Sequence, residues 1–446
     1  MSENSDKFSG FSRRDFFKGS AALVGGAFIS QLPIEASAYV AANDTIKVAV
    51  IGCGGRGTGA AVQALSTKGN VKLVAMADAF RDRLDQSFKN LTEKFPGKDR
   101  VNVPEKNKFV GFDGYKEAIK LADVVILATP PGFRPIHFEE AVKAGKHVFM
   151  EKPVAVDAPG IRRVLEAAEQ AKKKNLNVVV GLQRRYQTHY RDIIGRLHNG
   201  EIGEITGGQV YWNDGGVWVR ERQPNQTEME YQMRNWYYFT WLCGDHILEQ
   251  HIHNIDVANW ALGAYPASAQ GMGGREVRTG KQYGEIFDHH FVEFTYPNGA
   301  VIASQCRHIP NTMKRVAEAF QGTKGKVSLA DSGGSKALIT DWKGNQIYNY
   351  RSKEDPNPYQ VEHDELFAAI RAGKVINDAE YGAKSTMTAI MGRMATYSGQ
   401  VVTWEEALKS DISLAPERYA FDATPPVVPG PDGFYPVPTP GKTKAV

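Results

Sequence analysis

The most restrictive feature of the chain is a glycine-rich turn set between a short apolar run and a helical pattern. Ile46 to Ile51 is apolar, Gly52-Cys53-Gly54-Gly55-Arg56-Gly57 follows directly, and a helical pattern runs from Gly57 to Lys68. Glycines at this spacing allow a tight turn and let the backbone approach a pyrophosphate, whose charge the helix N-terminus stabilises. Asp78 closes a second apolar run, Val71 to Ala77. It stands where a carboxylate accepts hydrogen bonds from an adenosine ribose. Gly52, Gly54, Gly55, Arg56, Gly57 and Asp78 are therefore the predicted dinucleotide contacts. The Asp78 carboxylate repels a 2′-phosphate, so NAD is favoured over NADP, with Arg81 as the nearby cation that would moderate the preference.

Further apolar runs at Val124 to Ala128, His147 to Met150 and Val178 to Val180 read as buried parallel strands, with helical patterns at Ile136 to Ala144 and from Pro159 to Lys174. Strand and helix alternating at this spacing predict an α/β fold with a doubly wound parallel sheet over residues 44–182. From about Ile205 the texture changes to longer β-rich runs, such as Gln209 to Trp212, His290 to Tyr296 and Ala300 to Gln305. A second α/β domain with an open, largely antiparallel sheet is expected over 183–410, with helices near Val361 to Ala372 and Glu380 to Tyr397. Prolines at 425, 426, 429, 431, 436, 438 and 440 make 411–446 an extended tail.

At 446 residues the chain has room for two or three domains. A net charge of +4 with no long basic run argues against a nucleic-acid partner. Three scattered cysteines make no disulfide framework. The N-terminus carries Ser12-Arg13-Arg14-Asp15-Phe16-Phe17-Lys18, a mild apolar stretch from Ala21 to Leu32, and Ala36-Ser37-Ala38. This pattern resembles a twin-arginine export signal over residues 1–38, its apolar stretch too short to span a bilayer. It predicts a periplasmic protein that carries a bound ligand, and no later segment reads as a membrane span.

Thr129-Pro130 and Glu151-Lys152-Pro153 fall at the carboxyl ends of parallel strands, where open sheets bind ligands. Together with the glycine turn, Asp78 and Ala144-Gly145-Lys146-His147-Val148, they resemble the glucose-fructose oxidoreductase and inositol dehydrogenase family, the Gfo/Idh/MocA family, from about Ile46 to Tyr397. The resemblance implies a Rossmann domain followed by an α/β domain whose open sheet often forms the contact between subunits, so a homo-oligomer, dimer or tetramer, is expected. It also implies a catalytic lysine in Glu-Lys-Pro and an acid and histidine four residues apart on a helix of the second domain. Those positions are Lys152, Glu249 and His253, with Glu249 in place of the family's aspartate. Thr129, Pro130, Glu151, Lys152 and Gln183 join the expected cofactor contacts.

Read as one helix, Asp245 to Trp260 puts His246, Glu249, His253, Asp256 and Trp260 within about 100° of one another. His246, Glu249 and His253 are types a metal accepts, but the Lys152 ammonium would compete for the same space, so no metal is expected. Arg184 and Tyr186, which follow the last strand of the first domain, and the aromatic Trp236 and Tyr237 before the helix, together with Asp256, are the expected substrate contacts; rings stack on sugar C–H faces while polar groups take hydroxyls. The expected function is an NAD-dependent oxidoreductase moving hydride between a secondary hydroxyl of a sugar or glycoside, C3 of a glycoside in the first instance, and a tightly bound nicotinamide. His253 would take the proton, Lys152 would hold the oxygen, and Glu249 would orient His253. A partner lyase acting on the keto product would complete such a route. The alternatives are an NAD-dependent glycosidase working by transient oxidation and elimination, and a non-catalytic sensor of NAD and sugar.

Overall fold

A computed structural model describes residues 44–330 and 335–446. The export signal predicted over 1–38 lies outside the described residues. Six strands form the first sheet: β1 (Ile46–Ile51), β2 (Val71–Asp78), β3 (Lys108–Val110), β4 (Val124–Leu127), β5 (His147–Met150) and β6 (Val178–Val180). All pairs are parallel, in the order β3-β2-β1-β4-β5-β6. This is the doubly wound order whose ligand crevice opens where the winding reverses, between β1 and β4. The sequence reading missed β3, whose three residues sit at the sheet edge, none of them buried, and leave no apolar run to see.

Alternation along the strands explains the layers. Ala49, Ile51, Val125, Leu127, Val148 and Met150 pack on one face against α3 (Gly114–Lys120), α4 (Arg134–Lys143) and α5 (Ala158–Lys173). Val48, Val50, Val124, Ile126 and Phe149 face the other way, toward α1 (Gly55–Leu65), α2 (Arg81–Lys94) and a helix from the far end of the chain, Pro358–Arg371.

After α6 (Thr188–His198), a nine-stranded sheet is built around β7 (Ile205–Asp214). The segments between β7 and the next strand are α7 (Glu228–Arg234), α8 (Thr240–Cys243), α9 (His246–Glu249) and α10 (Ile252–Leu262). The other strands are β8 (Ser268–Gly274), β9 (His289–Thr295), β10 (Val301–His308), β11 (Arg315–Gly322), β12 (Gly325–Ala330), β13 (Ser335–Asp341), β14 (Gln346–Ser352) and β15 (Val402–Thr403). Only β7 with β10 is parallel; every other pair is antiparallel. Strands β9 and β10 alternate buried and less buried residues, so one face of this sheet meets helices and the other stays open.

Helix α11 is the Pro358–Arg371 segment, α12 spans Ala379–Ser398 and α13 Trp404–Lys409. Helix α12 is buried on nearly all sides because small residues let neighbours close in: a Cβ at Gly382 would stand 2.9 Å from Val180, and one at Gly392 2.9 Å from Phe294. Residues 411–446 contain no helix or strand. No helix among the described residues is long and apolar enough to cross a membrane.

Candidate active site

The glycine turn has the geometry its spacing implies. Gly52 has φ +93°, and a Cβ there would meet the backbone of Ala128 and Thr129 at 2.5 Å, so β1 and β4 can close only around a glycine. A Cβ at Gly57 would lie 1.9 Å from the Gly52 carbonyl oxygen, so the helix can pack on the turn only without one. At Gly54 and Gly55 a Cβ would meet nothing. Both line a crevice of about 550 Å³ that also touches Asp78, Phe80, Phe112, Thr129 and Pro130. The open space stands at the N-terminus of α1, whose first N–H groups have no acceptor within the helix. A dinucleotide pyrophosphate fits this cradle.

Asp78 sits at the crevice wall. Its Oδ2 accepts the Cys53 N–H at 2.6 Å and its Oδ1 the Phe80 N–H at 2.8 Å, which fixes the carboxylate between the two turns while burial pushes its pKa up. Arg81, the expected modulator of cofactor preference, turns away: it pairs with Asp85 at 2.8 Å and Glu105 at 2.6 Å in solvent. Arg83 lines the crevice instead. Helix α2 starts at Arg81, so the residue two positions on reaches the face that Arg81 leaves. Arg56 also lines the crevice, and its guanidinium ion-pairs with the buried Glu151 at 2.8 Å and bonds Gln63. Glu151 thus holds the glycine turn from behind. Thr129 is fixed by its own neighbours, its carbonyl accepting Arg134 Nη2 at 2.7 Å and its hydroxyl meeting His137 Nδ1 at 3.2 Å.

Lys152 and Glu249 pair in a partly buried position, and the buried His253 lies within reach of the Lys152 charge. Lys152 Nζ lies 3.1 Å from Glu249 Oε1 and also donates to the Glu249 backbone carbonyl. That carbonyl is available because the single helix expected over 245–260 does not form. Helix α9 stops at Glu249, the His251 N–H reaches back five residues to His246, and the His253 N–H bonds Gln250 instead of Glu249. The break takes His246 off the shared face. It also leaves Glu249 committed to Lys152: no hydrogen bond joins Glu249 to His253, and Glu249 Oε2 and His253 Nδ1 are both buried without partners. Glu249 is therefore the partner of Lys152, and the expected Glu249–His253 hydrogen bond is not made. The His253 ring stacks on Trp212, centroids 5.9 Å apart. Burial, then the Lys152 charge, holds its pKa well below the ordinary range, so it is a neutral acceptor at pH near 7. Burial pushes the Glu249 carboxyl up while Lys152 opposes the shift.

Three of the expected substrate contacts belong to the scaffold. Arg184 is fully buried and bonds Glu318, which also accepts from Tyr190 and Asn254. The Tyr186 hydroxyl donates to Asp378 at 2.6 Å. Asp256 receives two hydrogen bonds from Arg185, each 2.8 Å, and one from Ser385 at 2.7 Å. Trp236 does line the crevice, beside Trp218 and Arg220. Tyr237 stacks on His308 at 5.6 Å, and its buried hydroxyl has no partner. Gln183 is buried, with its Oε1 likewise unpartnered. Trp218, Arg220 and Trp212 were not singled out from sequence. The one signal for the first two was Gly215-Gly216 at the end of a β-rich run, followed by a tryptophan and an arginine.

The three residues weighed as metal ligands are not brought together. Among the described residues the group of potential ligands within 4.8 Å is Asp245, His246 and His290. Asp245 accepts from the backbone N–H of His246 and Phe287 and from the Tyr397 hydroxyl, with His246 Nδ1 at 2.8 Å and His290 Nε2 at 3.3 Å. Its oxygens are thus already engaged by donors of the protein.

Residues 46–181 match the oxidoreductase family with NAD-binding Rossmann fold, and residues 190–328 match the GFO/IDH/MocA C-terminal domain. The chain belongs to the Gfo/Idh/MocA family. Its Rossmann domain binds NAD, and the glycine cradle and Asp78 are the parts of the crevice suited to it. Among Gfo/Idh/MocA relatives, inositol 2-dehydrogenase of Rhizobium meliloti is 24% identical over 339 residues, 74% of this chain and 91% of that protein. Scyllo-inositol dehydrogenase of Lactobacillus casei, solved with bound NAD(H) and scyllo-inositol, shares the fold with a TM-score of 0.61 at 20% identity, over 81% of this chain and 100% of that one. Aldose-aldose oxidoreductase of Caulobacter crescentus, complexed with glycerol, gives 0.63 at 19% identity over 81% and 100%.

Proposed function

We propose that this protein oxidises a secondary hydroxyl of a sugar or polyol, and that its substrate is a glycoside oxidised at C3. The observation that carries the reading is the pairing of a partly buried Lys152 with Glu249 at 3.1 Å, with the buried His253 within reach of the Lys152 charge. NAD, when bound, supplies the hydride acceptor at nicotinamide C4. The neutral His253 accepts the proton of the hydroxyl. The Lys152 ammonium, oriented by Glu249, stabilises charge that develops on the oxygen. Tyr237, Trp212, Glu249 and His253 each carry a buried polar atom without a protein partner, and a ligand rich in hydroxyls satisfies such groups. The inositol and aldose enzymes named above support a polyhydroxyl substrate.

The twin-arginine pattern at Ser12 to Lys18 supports a periplasmic location with the cofactor loaded before export. The open face of the second sheet, where exposed Met272 pairs in register with Phe291, supports a homo-oligomer. The test is to denature the purified protein, identify the released nucleotide, and follow reduced nicotinamide by absorbance with a panel of glycosides and polyols. Lys152→Ala and His253→Ala should each lower turnover by about 10²–10⁴-fold, and the double variant by less than the product. Activity at wild-type rates in either single variant would refute the assignment.

A further inference from the structure

The C-terminal segment 411–446 runs from one wall of the NAD crevice to the other. It leaves the Rossmann side at α5, where Arg162 donates to the carbonyls of Leu408 and Ser410 at 2.8 Å and the Asp157 carboxylate accepts the Leu414 N–H at 2.7 Å. It then passes the aromatic residues of the crevice. The Phe421 ring stands 4.8 Å from that of Phe112 and 5.4 Å from that of Phe80, and Tyr419 stands 5.2 Å from Phe133. Phe80, Phe112 and Phe133 all line the crevice. Beyond Phe421 the segment is tied to the opposite wall. Thr227 donates to the Phe421 carbonyl at 2.8 Å, Gln232 to the Val427 carbonyl at 2.7 Å, and the Tyr435 hydroxyl to Glu228 at 2.5 Å. The helix that supplies these groups also supplies Met233 and Arg234 to the crevice, and Arg234 lies over the Phe80 ring at 4.0 Å.

We propose that Tyr419 and Phe421 are positioning residues for the adenosine half of NAD, and that the C-terminal segment is a strap that slows its release. The inference rests on the NAD reading of the crevice. Phe80 is the pivot. Its ring is held between Phe421 and Arg234, and its N–H bonds the Asp78 carboxylate expected to take the ribose hydroxyls. Removing Phe421 frees the ring and loosens Asp78 with it. Because the strap is bonded to both walls, they cannot separate until its contacts break, and a barrier of that kind acts on dissociation more than on association. An exported protein that cannot reload NAD would need such retention.

The test uses the full chain and the Tyr419→Ala/Phe421→Ala double variant. NAD and ADP-ribose dissociation is measured by displacement, nicotinamide mononucleotide affinity by calorimetry, and the thermal midpoint without nucleotide in parallel. The variant should release NAD and ADP-ribose about tenfold faster or more, with nicotinamide mononucleotide affinity unchanged, because that ligand lacks the adenosine half. Equal release rates overturn the proposal, as does an equal loss for all three ligands. If the double variant does not fold, Phe421→Leu replaces it. That change keeps an apolar side chain and removes the ring contacts, so faster NAD release is again expected and an unchanged rate again overturns the strap. A wild-type chain that binds neither NAD nor ADP-ribose overturns the crevice reading and the strap together.

Discussion

Asp256→Asn separates a carboxylate that serves the fold from one that serves the substrate. Asp256 is 1% exposed and holds Arg185 through two bonds of 2.8 Å, with Ser385 donating a third. Arg185 keeps 15% of its side chain exposed and lies over Tyr381 at 3.9 Å and Trp260 at 5.0 Å. Asparagine keeps the size of the side chain but leaves the guanidinium without its counter-charge. Breaking a buried pair by removing one partner costs about 3–5 kcal/mol, and the partial exposure of Arg185 together with its two ring faces argues for ~3. With an unfolding entropy of roughly 2.1 cal/mol/K per residue over a single compact unit, Tyr39–Val446, the thermal midpoint should fall by ~3–4 °C. Calorimetry measures the fall, and steady-state kinetics well below the new midpoint measures KM, which should not change. In a double-mutant cycle, Arg185→Gln with Asp256→Asn should cost less than the two single changes summed. An unchanged midpoint with a raised KM would refute the reasoning and return Asp256 to the substrate.

Gly54→Ala should fold with wild-type stability, since Gly54 has φ −72° and its Cβ would meet no protein atom, yet bind NAD about tenfold or more weaker where the pyrophosphate must approach; Gly57→Ala should lose stability as well, because its Cβ strikes the Gly52 carbonyl. Nucleotide titration beside chemical denaturation distinguishes the two, and equal stability losses would contradict it. Asp78→Asn should weaken NAD and narrow the gap to NADP, with Arg83 rather than Arg81 responsible for the residual NADP binding; Arg83→Ala in that background should reopen the gap, and an equal effect of Arg81→Ala would contradict the assignment. Three buried histidines should each withdraw stability on acidification. His137, His251 and His363 are each held down to about 3, chiefly by burial, so the unfolded chain takes up protons on them below about pH 6.5 while the fold stays neutral there. The loss is about 1.4 kcal/mol per ring by about pH 5.5, while Glu285 and Asp378, held up to about 7 and about 6 by burial, take up protons in the fold and oppose it; His363→Gln should therefore lose about 1.4 kcal/mol less than the unsubstituted chain over that range, and equal urea-midpoint changes in the two would contradict it.

What the sequence determined by itself is the part of the protein whose causes are local. The parallel sheet was legible because its long strands are apolar runs, broken in β1 and β2 only by Lys47 and Lys72 near their starts, and such runs form where both faces are covered. The cradle was legible because Gly52 and Gly57 are demanded by contacts within a strand, a turn and a helix only a few residues apart, plus one neighbouring strand. Lys152, Glu249 and His253 were legible through motif resemblance, though not their relation to one another. That relation is tertiary. Lys152 reaches across ninety-seven positions to the Glu249 carbonyl, and the same contact marks the break that a periodic reading of 245–260 had no means to see. Asp256, Arg184 and Tyr186 looked like site residues because a polar side chain near a motif carries no sign of its partner. Arg185, Glu318 and Asp378 decide their roles, and two of those partners lie more than a hundred residues away in sequence. The tail was read as extended, which its prolines require, but a proline-rich segment buries its side chains against whatever surface the rest of the fold presents. Only the assembled walls of the crevice determine that Phe421 meets Phe80 and Phe112. Short-range sterics are written in adjacent residues; a buried charge or ring takes its function from the group that compensates it, and folding alone brings that group near.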